Sequence, residues 1–355
     1  MSIESRQQQI DEVIAAEGLD ALIVTDLINV RYLCGYVGSN GVLVIAPGRR
    51  VLLTDSRYMA DARERTRGVE VVQAGRDLMD RLADVVGSGR VGFEAEQVSV
   101  ARQGRFAARL SSVELVPTAG VVEGLRVIKE PEEISAIRTA AGIADVAYGA
   151  LIEDGFAGRT EAQVAWDLEG LMRAAGAEGA SFDIIVASGA HGALPHAVPR
   201  PVPVQANSLV VVDMGARVDG YASDCTRTFA TGPLSDELAR AYVVCLAAEE
   251  AGLAAICPGG VGAAVHEAAH AVIRAAGWGE QFGHGLGHGV GLAVHEAPAL
   301  RPESEDVLAA GNVVSCEPGI YLPGSGGVRI EDLVVVRDGA PEILTLFPKA
   351  LLTVG

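Results

Sequence analysis

The chain has 355 residues, 49% of them hydrophobic, and sets 28 Lys and Arg against 46 Asp and Glu for a formal charge of −18. That length predicts two domains with separate cores, and that charge repels phosphate backbones and anionic lipid headgroups, so nucleic acid and membrane surfaces are not expected partners. The excess is uneven: residues 1–125 carry a net −3 and residues 126–355 the remaining −15, which gathers carboxylates, the raw material of a divalent-cation site, in the second part.

The opening "MSIESRQQQIDEVI" is polar, and no stretch approaches the roughly 18 uninterrupted apolar residues of a membrane span. Five cysteines (Cys34, Cys225, Cys245, Cys257, Cys316) are odd in number, widely spaced and lack C-x-x-C. An unexported, cytoplasmic protein is expected, with reduced thiols packed as small core residues. Strand patterns follow at 21–27, 41–48, 50–56, 69–75 and 90–96, with helical patterns at 5–17, 77–86 and 99–110, an α/β domain over residues 1–125. A turn-rich "PTAGVVEGL" (117–125) leads into residues 126–355. There Pro131 suits the first turn of a helix running to about Asp154, and helices are predicted at 160–175 (with Thr160 and Gln163 as a capping box), 236–255 and 260–276. The apolar strands "DIIVASG", "SLVVVDMGARVDGYASDCTRTF", "NVVSCEPGIYL" and "VRIEDLVVVRDG" lie between and after them, so this domain reads as α+β.

Within the longest of these segments, Asp219-Gly220 is a strong signal for a tight hairpin, because a type I′ turn needs positive φ at both central residues. With Val218 opposite Tyr221, Asp213 falls opposite Thr226, and Asp213 and Asp224 project from one face. Two acids so placed repel unless a cation lies between them, either a metal or an arginine paired with one of them. The apolar flank "LVVVD" makes a second buried carboxylate costly without a cation and favours the metal. Downstream, "FGHGLGHGVGLAVHE" holds His284, His288 and His295, and Glu317 and Glu331 each interrupt an apolar strand. An oxygen-rich set with one imidazole suits two divalent ions sharing carboxylates.

The ordered set Asp213, Asp224, His288, Glu317 and Glu331, in the contexts "VDMG", "SDCTRTF", "GHGVGL", "CEPGIY" and "RIED", resembles the pita-bread metallopeptidases. That family includes methionine aminopeptidase, aminopeptidase P and prolidase. "NVRYLCGY" (29–36) and "TDSRY" (54–58) extend the resemblance to the N-terminal, creatinase/prolidase-like domain of the proline-directed branch. The resemblance implies that these five residues bind two divalent ions, Mn²⁺ first with Co²⁺ or Zn²⁺ possible, whose shared water becomes the nucleophile. It also implies that Glu317 shuttles a proton, that His196, His284 and His295 contact the substrate, and that Arg329 orients the site. A homodimer acting on short peptides with proline second is implied as well. Ala299 stands where many prolidases carry an arginine for the free carboxylate of a dipeptide. This favours an Xaa-Pro aminopeptidase over an Xaa-Pro dipeptidase, unless Arg301 or Arg57 replaces the clamp. A metal-free creatinase-type hydrolase and a non-catalytic peptide-binding module are more remote, since all five ligand positions are intact.

Residues 266–270 spell H-E-x-x-H, a zinc-protease signature when it lies on a helix. A helical wheel puts Val265, Ala269, Val272 and Ile273 on an apolar stripe, His270 opposite it and His266 at its border, so the histidine pair is expected to face solvent. No third ligand follows at a zinc-protease spacing. Cys225 and Cys316 adjoin candidate ligands, but strand alternation turns them into the core.

Overall fold

A computed structural model describes residues 3–355, which form one compact unit up to Arg126 and a second over Val127–Gly355. The first is built on a six-stranded sheet in the order Glu70–Ala74, Arg49–Asp55, Gly41–Ala46, Ala21–Val24, Gly89–Glu94, Val113–Thr118. Its core gathers Ile23, Val44, Leu53, Phe93 and Phe106. The run expected as a strand to residue 27 stops at Val24, because Asp26 caps a helix, Leu27–Cys34, by accepting from the Ile28 amide. The sequence pattern also missed the Met59–Arg65 helix and the Val113–Thr118 strand. The helix expected at 77–86 resolves into two short turns, Leu78–Arg81 and Ala83–Val86.

In the second unit two helix pairs each back a sheet. Pro131–Asp154 and Glu161–Ala174 cover the antiparallel strands Ile185–Ser188, Leu209–Met214 and Cys225–Ala230, sharing a core with Tyr148, Leu168, Val212 and Phe229. Asp236–Ala255 and Gly262–Ala275 share another core with Val314, Ile330 and Val334, from the region of the five-stranded sheet ordered Glu296–Leu300, Gly287–Gly289, Val313–Cys316, Asp332–Val335, Glu342–Ile343. The helix starts are dictated locally. Glu130 and Glu133 form a capping box around Pro131, as Thr160 and Gln163 do for the next helix, where the Thr160 N-cap is worth about 1 kcal/mol.

Four cysteines are buried and free, Cys225 and Cys316 in the two cores as alternation requires. Cys257, expected in the core, is exposed, because it lies in the connection after the Asp236–Ala255 helix. Among the described residues, no helix is long and apolar enough to cross a membrane.

Candidate active site

The hairpin forms in the expected register. Asp219 and Gly220 adopt φ of 47° and 77°, Val218 pairs with Tyr221, and Thr226 pairs with Asp213. Its arms belong to two sheets, however, and part at Gly215, where a Cβ would lie 1.8 Å from the Ser223 carbonyl oxygen. That close approach admits only glycine. The Ser223 carbonyl instead accepts from Ser181 Oγ at 2.7 Å.

Asp213, Asp224 and Glu331 thereby converge, offering carboxylate oxygens that all lie within 4.8 Å of one another while the residues are 8%, 6% and 1% exposed. Asp213 Oδ1 and Glu331 Oε1 are buried without a hydrogen-bond partner. Unpaired buried carboxylate oxygens facing like charges are a costly arrangement that a divalent cation relieves, so the donor set fits one. Burial pushes the Asp224 and Glu331 carboxyls well above the usual range, and their acidic neighbours push the same way.

His288 and Glu317 join this group from the five-stranded sheet. His288 Nδ1 donates to the Gly289 carbonyl at 3.1 Å, which leaves the Nε2 lone pair for a cation; Nε2 lies 3.2 Å from Glu317 Oε1 and 3.7 Å from Asp224 Oδ2. Burial is the largest influence and works against the Glu317 charge, but with no cation in place a protonated His288, donating from Nε2 and adding its own charge, outweighs it together with the other cationic neighbours, Arg329 among them, and holds that carboxyl down to about 2. Ser315, which the sequence reading passed over, accepts from the His288 amide and donates to Glu317 Oε1 at 3.0 Å. Its place two residues before Glu317, on the same strand face, was the available signal.

Arg329 is fully engaged. Its Nη2 donates to Asp213 Oδ2 at 2.7 Å, Nε to Thr226 Oγ1 at 2.9 Å, and Nη1 to Tyr321 Oη and the Pro195 carbonyl. Thr226 in turn donates to Glu331 Oε2 at 2.9 Å. Tyr321 Oη, also unassigned from sequence, lies 2.9 Å from His284 Nε2, while His284 Nδ1 lies 2.7 Å from the Gly285 carbonyl. A carbonyl only accepts, so Nδ1 carries the proton and Nε2 accepts from Tyr321. Both nitrogens of His284 are thus spent inside the protein, and the expected hydrogen bond from His284 to a substrate carbonyl has no donor.

A cavity of about 1190 Å³ opens over these groups, its wall including Asp213, Asp224, His288 and Glu317 as well as His196 and His295. His196 and His295 are exposed, and the His295 ring meets that of His288 edge to face at 4.3 Å. Arg301 and Ala299 also line it, on one face of the Glu296–Leu300 strand and its continuation, with Leu300 between them turned into the core. Arg57, in the first unit, grips Asp55 through Nε and Nη2 at 2.9 and 2.8 Å. His191 bonds the buried Glu161 at 3.0 Å.

The H-E-x-x-H pair does not face solvent. His266 is 5% exposed and packs on Phe282, with the ring centroids 5.3 Å apart, while His270 is half-buried beside it. The wheel failed because the segment after the helix folds back over that side.

Residues 135–338 match the model of metallopeptidase family M24, and residues 6–128 match the creatinase/prolidase N-terminal domain. An Xaa-Pro dipeptidase of Pyrococcus furiosus is 32% identical over 99% of this chain and 100% of its own. The solved structure of an Xaa-Pro dipeptidase from Bacillus anthracis superposes with a TM-score of 0.96 at 37% identity, covering 99% of this chain and 100% of that one. An X-Pro aminopeptidase from Thermotoga maritima gives 0.91 at 34% identity, covering 98% and 99%. The catalytic domain has the pita-bread fold, and the chain belongs to metallopeptidase family M24 as one of its proline-directed enzymes.

Proposed function

We propose that the chain is an Xaa-Pro dipeptidase whose Asp213, Asp224, His288, Glu317 and Glu331 hold two divalent cations, Mn²⁺ before Co²⁺ or Zn²⁺ on the hardness of the donors. When bound, such a pair supplies an acidified water and a Lewis acid for the scissile carbonyl. The protein's own part is to place groups around the bond. Glu317 carries a proton toward the prolyl nitrogen, a tertiary amide that leaves badly without one. His196 and His295 line the cavity as donors to the carbonyl oxygen as it gains charge, and Tyr321 with Arg329 holds His284 and Asp213 in place.

The observation that carries the dipeptidase reading is Arg301. It shares a strand face with Ala299, lines the cavity and, among the described residues, makes no ion pair or hydrogen bond with another side chain, so its guanidinium is available for a dipeptide's carboxylate. Arg57, the other candidate clamp, is engaged by Asp55. The aminopeptidase reading draws on Ala299 itself and on a cavity of about 1190 Å³, larger than most small-molecule pockets, which span about 300–1,000 Å³, and so with room for a longer peptide. Comparing Leu-Pro with Leu-Pro-Pro in the Mn²⁺-loaded enzyme separates the two. The dipeptidase reading expects Leu-Pro to be preferred and Arg301→Ala to lower its kcat/KM by about 10-fold to 100-fold, the worth of one charge-assisted hydrogen bond. A preference for Leu-Pro-Pro that is untouched by Arg301→Ala makes the enzyme an aminopeptidase.

A further inference from the structure

The segment that carries His284 and His288 has little stiffness of its own. Glycines alternate with it at 283, 285, 287 and 289, and the last three are packed closely: a Cβ on Gly287 would lie 2.0 Å from the Ser315 carbonyl oxygen, and one on Gly289 2.1 Å from that of Ala297. A strand so rich in glycine loses more conformational freedom on folding and must be held from outside. Leu286, midway between the two histidines, is where it is held. Its carbonyl accepts the Glu317 amide at 2.7 Å, and its own amide donates to His266 Nδ1 at 3.2 Å. The peptide groups of one residue thus tie together the segment of His288 and that of Glu317, with His266 at the far end of the tie.

His266 suits that task. It lies on the Gly262–Ala275 helix, anchored in the core through Val265, Ala269 and Ile273. Its ring stacks on His270 with centroids 5.5 Å apart and packs on Phe282, which meets His284 edge to face at 5.0 Å. Burial pushes its imidazole down to about 4, so near neutral pH Nδ1 keeps its lone pair and stays an acceptor. Among the described residues no third ligand joins the histidines of the H-E-x-x-H segment, whose first member instead reaches the neighbouring segment.

We infer that His266 is a positioning residue of the active site, fixing the Leu286 peptide and through it the placement of His284, His288 and Glu317. This rests on the assignment of His288 and Glu317 to the metal centre. It predicts that the acceptor atom, rather than the bulk of the ring, is what matters. In the full-length protein, His266→Leu removes that acceptor, His266→Asn keeps one at the same distance along the side chain, and His266→Gln moves it one bond outward.

For Leu and Gln, kcat on both Leu-Pro and Leu-Pro-Pro and the affinity for Mn²⁺ measured by calorimetry are expected to fall about 10-fold to 100-fold, as when a metal ligand loses its supporting partner. Asn is expected to stay close to wild type. Amide exchange across residues 283–289 of the metal-free protein is expected to quicken in Leu and Gln and not in Asn. His270→Ala, whose ring nitrogens meet Gly279, Arg274 and Glu267 and no group of the active site, is the control expected to keep full activity. Equal losses in Asn and Gln would reduce the role of His266 to packing, and unchanged exchange and Mn²⁺ affinity in Leu and Gln would remove the role; either overturns the inference. Should His266→Leu fail to fold, the Asn and Gln pair decides alone. An error in the dipeptidase reading would change the order of the two substrates in every variant alike and leave these comparisons intact.

Discussion

Replacing Arg329 by methionine removes the cation nearest Asp213 while keeping most of the side-chain volume. Arg329 is 3% exposed and Asp213 8%, and their 2.7 Å contact is supported by bonds from the same guanidinium to Thr226 and Tyr321. Removing one partner of such a buried pair leaves an uncompensated charge and costs about 3–5 kcal/mol. In a domain of this size each kcal/mol lowers Tm by about 2–4 °C, so the catalytic-domain transition of metal-free protein is expected to drop by roughly 6–20 °C. Mn²⁺ should narrow the gap, because a cation beside Asp213 supplies the missing charge, and Arg329→Lys should fall between methionine and wild type. Calorimetric scans with chelator and with Mn²⁺ give all these values. A metal-free Tm for Arg329→Met within about 2 °C of wild type, less than the shift expected of even 1 kcal/mol, would refute the view that Arg329 carries the charge balance of the site.

Chelation is expected to abolish turnover and Mn²⁺ to restore it; full activity in metal-stripped protein would contradict the metal assignment. Asp224→Asn is expected to abolish activity yet raise the Tm of the metal-free protein, since it removes one of three mutually repelling buried carboxylates; a lowered Tm would refute the repulsion. The buried His266 imidazole, pushed down to about 4, yields a pH dependence. The unfolded chain takes up that proton first, near 6.5, so stability is lost as pH falls from about 6.5 toward 4. Urea denaturation across that range should show a shallower acid limb in His266→Asn, and an unchanged limb would rule out this source of acid sensitivity.

Much of this was legible because the determinants are local. The Pro131–Asp154 and Asp236–Ala255 helices carry their caps in sequence, and the Asp219-Gly220 turn fixes a register that brings Asp213 and Asp224 to one face. The Leu27–Cys34 helix was hidden because its apolar residues continue a strand without a break, so only the Asp26 cap marks the change. Pro117 disguised the strand that contains it. The burial of His266 and the capture of His284 by Tyr321 depend on segments that meet only in three dimensions, and no periodicity within one helix or loop reports them.

The hairpin that joins the two sheets also constrains how the chain can change in length. Its pairing offset is the same on both sides of Gly215, so the facing of Asp213 and Asp224 depends on how many residues separate each of them from the turn. One residue inserted between Asp213 and Val218, or between Tyr221 and Asp224, rotates a carboxylate to the opposite face and dismantles the site without altering a single functional side chain. Insertions in these arms are tolerable only in pairs, and single-residue variation in length is confined to the turn itself.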